Sequence, residues 1–362
     1  KSELDDMKAL VAGAMEDGAW GMSTGLIYTP SAYAGTTEII ELTKVIRGYS
    51  GVYFSHIRGE GETLLDAVNE AIHIGKEANV PVQIAHFKAS GKPHWGKTVD
   101  SLRLVAEGRE AGIDVTFDQY PYIASSTGLA AYMPHWAQEG GAHRLLERLK
   151  NPEIREKIRE DQAVIYRNWD IIMVASAKNH PEYEGKRISE IAEIEGKEPY
   201  EAVFDLLLNE DAQVSVVSFG MSEDDVRRVM RSPHGMVGSD GSAVASWGIL
   251  GKGKPHPRFY GTFPRVIGHY VRERVLTLQE AIRKMTSAPA LRLGLRDRGL
   301  LREDFKADLT VFDPENVNDE ATFVNPHRFA SGIPYVMVNG ELVVDGGKHT
   351  GALPGRVLRK SH

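Results

Sequence analysis

Short apolar runs that end in polar residues alternate with amphipathic helical patterns along much of the chain. In the intervening segments, apolar residues recur about every 3.6 positions, which predicts helices. Strands alternating with helices of about 10–15 residues are typical of βαβ units, so the pattern predicts an α/β fold with a parallel sheet. The predicted strands are Trp20–Gly25, Gly51–His56, Pro81–His86, Asp114–Pro121 and His234–Asp240.

Two parts of the chain depart from this alternation. A charge-rich segment at about 130–230 has mainly helical periodicity, and we interpret it as an insertion between two core strands. Residues 301–362 contain β-branched runs, with Asn339-Gly340 as a strong hairpin signal. The predicted organisation is an α/β domain over 1–300 with a helical insertion, followed by a small β domain.

The overall charge and the lack of cysteine exclude several classes of function. The chain has 43 basic and 50 acidic residues, a net charge of -7, so no basic surface for nucleic acid is expected. With no cysteine, the chain forms neither disulfides nor zinc–sulfur sites by itself, which fits a reducing, cytoplasmic location. No apolar stretch reaches the roughly 18 residues that a membrane span requires, so no membrane partner is expected.

Three candidate metal ligands stand at the ends of predicted strands: His56, His86 and Asp240. The two histidines are one βαβ repeat apart, which predicts adjacent strands and side chains at the same end of the sheet. In parallel barrels this carboxyl end carries the active site. Imidazole and carboxylate groups suit Zn²⁺. Asp240 has a second possible role, as the general base that takes a proton from water and passes it to a leaving amine.

Other polar residues near these strand ends are suited to binding a substrate carboxylate. Arginine forks and tyrosine hydroxyls are common partners of such groups. Arg58 and Glu60, just beyond His56, are expected to pair with each other. The glycine-rich runs GEGE at Gly59–Glu62 and GKGK at Gly251–Lys254 lack the sequence contexts of phosphate-binding loops. The candidate carboxylate-binding residues are Lys88, Tyr120, Tyr122, Ser125, Ser126 and Arg258.

At these residues the sequence resembles the D-aminoacylases, the N-acyl-D-amino-acid deacylases of the amidohydrolase superfamily. The similarity extends over nearly all of the chain outside the insertion. The matching runs are GMSTGLIYTPSAYA, FSHIRGEGE, IAHFKASG, DQYPYIASST, VGSDG, HPRFYGTFPRVIGHY, KMTSAPALRLGL and KADLTVFDP.

This resemblance implies a (β/α)8 TIM-like barrel with a small β-sandwich, one or two zinc ions, and hydrolysis of an N-acyl-D-amino acid by zinc-activated water. It implies that His56 and His86 bind zinc and that Asp240 is the catalytic acid/base. It also implies that the substrate carboxylate and the scissile carbonyl are held by Lys88, Tyr120, Ser126 and Arg258.

The sequence lacks two features of that family. No His-x-His motif occurs at a first strand, and the early-strand third ligand is missing. We therefore expect strands four to eight of the eight-stranded barrel, with an N-terminal segment or a companion chain completing it. The alternatives are another amidohydrolase acting on a cyclic amide or dipeptide, and a non-catalytic half-barrel subunit.

Overall fold

The main sheet consists of parallel strands covered by helices. The structure, a computed structural model, describes residues 2–165 and 167–360. All neighbouring strands of this sheet are parallel, in the order β1-β2-β3-β4-β8. Its members are β1 (Gly21–Gly25), β2 (Val52–His56), β3 (Val82–Ile84), β4 (Val115–Gln119) and β8 (Gly235–Val237).

Each of the five predicted strands is present, but three end earlier than expected. The predicted strand 81–86 ends at Ile84, the predicted strand 114–121 at Gln119, and the predicted strand 234–240 at Val237. His86 and Asp240 have positive φ angles of 37° and 46°, a conformation that leaves the β region. The two residues therefore lie on the loops that follow the strands, at the carboxyl end of the sheet.

Helices connect the strands, as the periodicity predicts. The first helix begins with a capping box, in which Ser2 and Asp5 satisfy each other's backbone N–H groups. None of the described helices is long and apolar enough to cross a membrane. The helices before the insertion are α1 (Glu3–Glu16), α2 (Thr36–Arg47), α3 (Leu64–Ala78) and α4 (Thr98–Glu110).

The two faces of the parallel sheet have different surroundings. On β2, Tyr53 and Ser55 are buried, whereas Phe54 between them is exposed. Strand side chains alternate between faces, so one face packs in the hydrophobic core while the other is open. The open face lines a cleft of about 470 Å³ that runs along the sheet to His86 and Asp240.

The inserted region carries a second sheet as well as helices. Strands β5 (Ser125–Gly128), β6 (Ile172–Ser176) and β7 (Ser215–Ser218) form an antiparallel sheet in the order β5-β7-β6. The sequence indicated mainly helices in this region, and the antiparallel sheet is a correction to that interpretation. The helices here are α5 (His135–Gln138), α6 (Gly141–Leu149), α7 (Pro152–Glu160), α8 (Gln162–Ile165), α9 (Ile188–Glu195) and α10 (Pro199–Asn209).

Helices return around β8 before the chain enters its last sheet. They are α11 (Glu223–Arg231), α12 (Arg258–Arg265), α13 (Leu278–Met285) and α14 (Ser287–Leu293). The last sheet is antiparallel, with strands β9 (Leu309–Val311), β10 (Tyr335–Val338), β11 (Glu341–Asp345) and β12 (Lys348–His349).

The C-terminal β region contains the hairpin predicted from Asn339-Gly340. Val338 pairs with Glu341 across the turn, and both turn residues have positive φ angles, 49° and 85°. Asn-Gly is favoured at such turns because these residues tolerate positive φ. The described residues of this region form a single sheet. The domain boundaries at 130–230 and 301 remain predictions.

A buried lysine fixes the beginning of β8. Lys284 of α13 is 1% exposed, and its ammonium group donates hydrogen bonds to the carbonyl oxygens of Ser232 and Gly235. We expect Lys284→Met to lower the free energy of unfolding by about 1–3 kcal/mol, because buried carbonyls lose their donor. Denaturant unfolding measures this, with the exposed Lys44→Met as the control, expected to change stability by less than about 0.5 kcal/mol. Equal stabilities of the two variants would contradict the anchoring role.

Candidate metal centre

The loop after β3 is held in place by a carboxylate from the next strand. The backbone N–H of His86 donates to Asp118 Oδ1 at 2.8 Å, and Gln83 Nε2 donates to Asp118 Oδ2 at 2.8 Å. A positive φ at a residue other than glycine is a strained conformation that needs such support. Asp118 of β4 therefore determines where the imidazole of His86 lies.

The two predicted histidine ligands are in direct contact. His86 Nε2 lies 2.7 Å from His56 Nδ1, and the ring centroids are 4.4 Å apart. His86 is 8% exposed. Burial lowers the pKa of His56 to about 3, so its imidazole is neutral near pH 7. Imidazole nitrogens that face each other are suited to binding a cation between them.

Glu60 and Lys88 lie on the other side of His86. Lys88 Nζ is 2.5 Å from Glu60 Oε1 and 2.7 Å from His86 Nδ1, and Glu60 Oε1 is 3.1 Å from the same nitrogen. Burial of Glu60 opposes its ionisation, but the adjacent ammonium of Lys88 outweighs it, so the pKa of Glu60 lies below its usual value. Burial likewise opposes the charge of Lys88, yet Glu60 keeps the pKa of Lys88 raised.

The chemistry of this cluster fits a metal ion. His56, Glu60 and His86 each offer one ligand atom, and these atoms lie within 4.8 Å of one another. His56 Nε2 is also buried without a hydrogen-bond partner among the described residues. The two imidazoles match the nitrogen donors that zinc takes in proteins, and the carboxylate of Glu60 lies beside them. Asp240 is not part of this three-residue group.

Asp240 instead pairs with Arg258 at the mouth of the same cleft. Asp240 Oδ2 lies 2.9 Å from Arg258 Nη2, and the Asp240 side chain is 43% exposed. Asp240 and His86 both line the cleft. The structure therefore brings Asp240 to the same end of the sheet as the histidines, with its carboxylate oriented by an arginine.

Arg258 is a buried cation with free hydrogen-bonding capacity. It is 5% exposed, and within the described part of the chain its Nε and Nη1 atoms have no hydrogen-bond partner. Its guanidinium lies 4.7 Å from the centre of the Tyr120 ring, and its backbone N–H donates to His256 Nδ1. Buried donors without a partner are costly, so this arginine is suited to an anionic ligand.

The other predicted substrate-binding residues lie at different distances from this cluster. Tyr120 is buried beside Lys88, whose ammonium is 5.6 Å from the ring centre. Ser126 belongs to β5 of the inserted sheet, where it pairs with Val217. Lys88, Tyr120 and Arg258 are therefore clustered, whereas Ser126 lies on a separate sheet.

The expected pair between Arg58 and Glu60 is wrong. Arg58 Nε donates to Glu70 Oε2 of α3 at 2.9 Å, and its other nitrogens reach the carbonyl oxygens of Ala32 and Ala34. Glu60 faces Lys88 and His86 instead. Closeness in the sequence did not predict the pairing, because both side chains bind residues of other segments.

Two residues of the site were missed in the sequence. Asp118 interrupts an apolar strand with an acidic side chain, a signal that was available. The Tyr28 ring lies 5.0 Å from that of His56, and its hydroxyl is 3.0 Å from Thr127 Oγ1 of the inserted sheet. No local pattern indicated Tyr28, because the contact joins a loop to residues 99 positions away.

Comparison with known proteins agrees with this architecture. A model of the amidohydrolase family matches residues 1–344. The sequence is 37% identical over 360 residues to D-aminoacylase of Alcaligenes xylosoxydans xylosoxydans. That match covers 99% of this chain but 65% of the relative, so the chain spans slightly less than two thirds of that protein's length.

Solved structures of related proteins have the same fold. A crystal structure of D-aminoacylase superposes with a TM-score of 0.80 at 37% identity, covering 99% of this chain and 66% of that one. N-acyl-D-glutamate deacylase from Bordetella bronchiseptica, complexed with zinc and a phosphonate mimic of the tetrahedral intermediate, gives 0.80 at 34% identity, with the same coverage. The predicted TIM-barrel-like α/β architecture is thus confirmed, while the numbering of the strands as four to eight remains a prediction. The chain belongs to the amidohydrolase family.

Proposed function

We propose that this protein is a zinc-dependent hydrolase that cleaves the amide bond of N-acyl-D-amino acids. The observation that carries the proposal is that one member of a facing imidazole pair, His86, lines the same cleft as Asp240, the carboxylate that pairs with Arg258. The similarity of this chain to D-aminoacylase and to an N-acyl-D-glutamate deacylase that contains zinc supports N-acyl-D-amino acids as the substrate class. Water and the amide give a carboxylate and a free D-amino acid.

The proposed zinc ligands are His56 and His86, with Asp240 as the third residue predicted from the sequence. One or two ions are expected. A bound zinc ion supplies the positive charge that makes water a nucleophile near neutral pH. The imidazole nitrogens that face each other support such a site.

In this proposal Asp240 moves the protons of the reaction. Its carboxylate accepts a proton from water and delivers it to the nitrogen of the leaving amine, so that each product carries its usual charge. Arg258 orients the carboxylate through an ion pair of 2.9 Å. The partial exposure of Asp240 towards the cleft leaves one oxygen accessible to substrate.

The substrate carboxylate is proposed to bind to Arg258, Lys88, Tyr120 and Ser126. Arg258 is the principal residue, because its Nε and Nη1 atoms are buried and have no partner within the described residues. Lys88 adds a second positive charge and Tyr120 a hydroxyl. For Ser126, a role requires the inserted sheet to approach the cleft through contacts such as that between Tyr28 and Thr127.

We expect Arg258→Lys to raise KM for N-acetyl-D-amino acids by about 10- to 150-fold, equivalent to about 1.5–3 kcal/mol for a charge-assisted hydrogen bond. Lysine keeps the charge but not the planar fork. Steady-state kinetics test this, with the surface substitution Arg103→Lys as the control. An unchanged KM would exclude Arg258 from carboxylate binding.

The function itself is tested with zinc-loaded protein and paired substrates. We expect release of free amino acid from N-acetyl-D-amino acids and little from the L-enantiomers. Hydrolysis of dihydropyrimidines in place of these substrates would indicate the cyclic-amide alternative. Inactivity towards both classes with zinc bound would indicate a non-catalytic subunit.

The cellular setting is also a proposal. The absence of cysteine supports a cytoplasmic location, and the net charge of -7 gives no reason to expect a nucleic-acid partner. The companion chain expected from the sequence has no support in the comparisons, because each relative carries the matched region and a further third in one chain.

A further inference from the structure

Glu60 contacts His86 on the side of the ring that faces away from His56. His86 Nε2 lies 2.7 Å from His56 Nδ1, whereas Glu60 Oε1 lies 3.1 Å from His86 Nδ1. The two nitrogens of an imidazole point in different directions, so one ion cannot bind to both. An ion held by the facing nitrogens of His56 and His86 therefore has the ring of His86 between it and the nearer oxygen of Glu60.

We propose that Glu60 is a positioning residue and not a metal ligand. It accepts a hydrogen bond from His86 Nδ1–H, and this leaves the lone pair of Nε2 directed towards His56. The inference rests on the metal site of the proposed function. Histidine ligands commonly donate their second ring N–H to a carboxylate, which fixes both tautomer and ring orientation.

The neighbouring ammonium of Lys88 is the reason that His86 Nδ1 needs a carboxylate beside it. Its ammonium is 2.7 Å from His86 Nδ1 and donates to the carbonyl oxygen of His86 at 2.9 Å. An ammonium donating to Nδ1 would place the ring proton on Nε2, where it would block metal binding. Glu60 Oε1, at 2.5 Å from Lys88 Nζ, offers the ammonium a stronger acceptor and leaves Nδ1 free to donate.

The backbone holds Glu60 in position for this contact. Its carbonyl oxygen accepts the N–H of Ser90 at 2.7 Å, which joins the loop after β2 to the loop after β3. The Glu60 side chain is 13% exposed, so water competes weakly for its carboxylate. A neutral amide at position 60 has nearly the same shape but lacks the charge that attracts both donors.

The test is zinc affinity of the full chain, measured by competition with a chelator. We expect Glu60→Gln to bind zinc about 10- to 100-fold more weakly than wild type, with the same stoichiometry at saturation. Glu70→Gln is the matched control, because Glu70 is an arginine-paired glutamate outside the cluster with the same 13% side-chain exposure as Glu60, and it should leave the affinity unchanged. Should Glu60→Gln fail to fold, as judged by circular dichroism, Glu60→Asp is measured in the same way.

Cobalt substitution separates positioning from ligation. With Co²⁺ at saturation, we expect the visible absorption spectrum of Glu60→Gln to match that of wild type, because the ligand set is the same. A changed spectrum, a lower stoichiometry or an unaltered affinity would overturn the inference. Wild-type protein that binds zinc without hydrolysing any acyl amino acid would overturn the proposed function alone, whereas wild type that binds no zinc would overturn both.

Discussion

Replacing Asp240 by asparagine is expected to lower kcat for N-acetyl-D-amino acids by about 10²- to 10⁴-fold, the usual contribution of a general acid/base. Asparagine has almost the same shape and tolerates the positive φ of 46° at this position. It cannot accept a proton from water or return one to the leaving amine. The measurement is steady-state kinetics of the zinc-loaded variant.

The control for Asp240→Asn is Asp211→Asn. Asp211 is an exposed aspartate after α10 that also has a positive φ, 51°, so the substitution has similar backbone demands outside the cleft. Its kcat should stay within about twofold of wild type. Zinc content separates the two roles given to Asp240: activity lost with zinc retained indicates proton transfer, and zinc lost as well indicates ligation. Unchanged kcat would contradict both.

Replacing a proposed metal-binding histidine is expected to lower activity by a similar factor, because the variant loses the metal ion. We expect His86→Asn to lose most of its bound zinc and at least about 10³-fold in activity, because a metal ion contributes several kcal/mol to the transition state. Asparagine tolerates the positive φ of 37° at position 86, so loss of the ligand is separated from backbone strain. Metal analysis of the dialysed protein gives the zinc content.

His269→Asn is the control for His86→Asn, because His269 is a half-exposed histidine paired with Glu273, away from the cleft residues. A chelator should likewise inactivate the wild-type protein, and added zinc should restore it. Full zinc binding by His86→Asn would exclude the proposed metal site, and activity that persists in chelated wild type would exclude a metal-dependent reaction.

The elements of the fold that depend on neighbouring residues could be predicted from the sequence. The capping box of Ser2 and Asp5 and the hairpin at Asn339-Gly340 are present because their interactions span only a few positions. Asn79 ends α3 in the left-handed conformation, which asparagine adopts more readily than most residues.

Part of the candidate site follows from periodicity as well. His56 and His86 are one strand–helix repeat apart, and adjacent parallel strands bring residues at their ends together, here to 2.7 Å. Asp240 lies at the same end of the sheet by the same rule. The sequence thus placed these three residues at one end without any knowledge of their contacts.

The partners of these residues were decided only by tertiary structure. Glu60 faces Lys88, 28 positions away, and not its near neighbour Arg58, which Glu70 of α3 binds. Asp118 supports the backbone of His86 from another strand, and Tyr28 reaches the site from a loop. The pattern of strands along the sequence predicts at which end of the sheet a side chain lies. The charge nearest to a buried carboxylate depends on how separate loops pack, which no local pattern encodes.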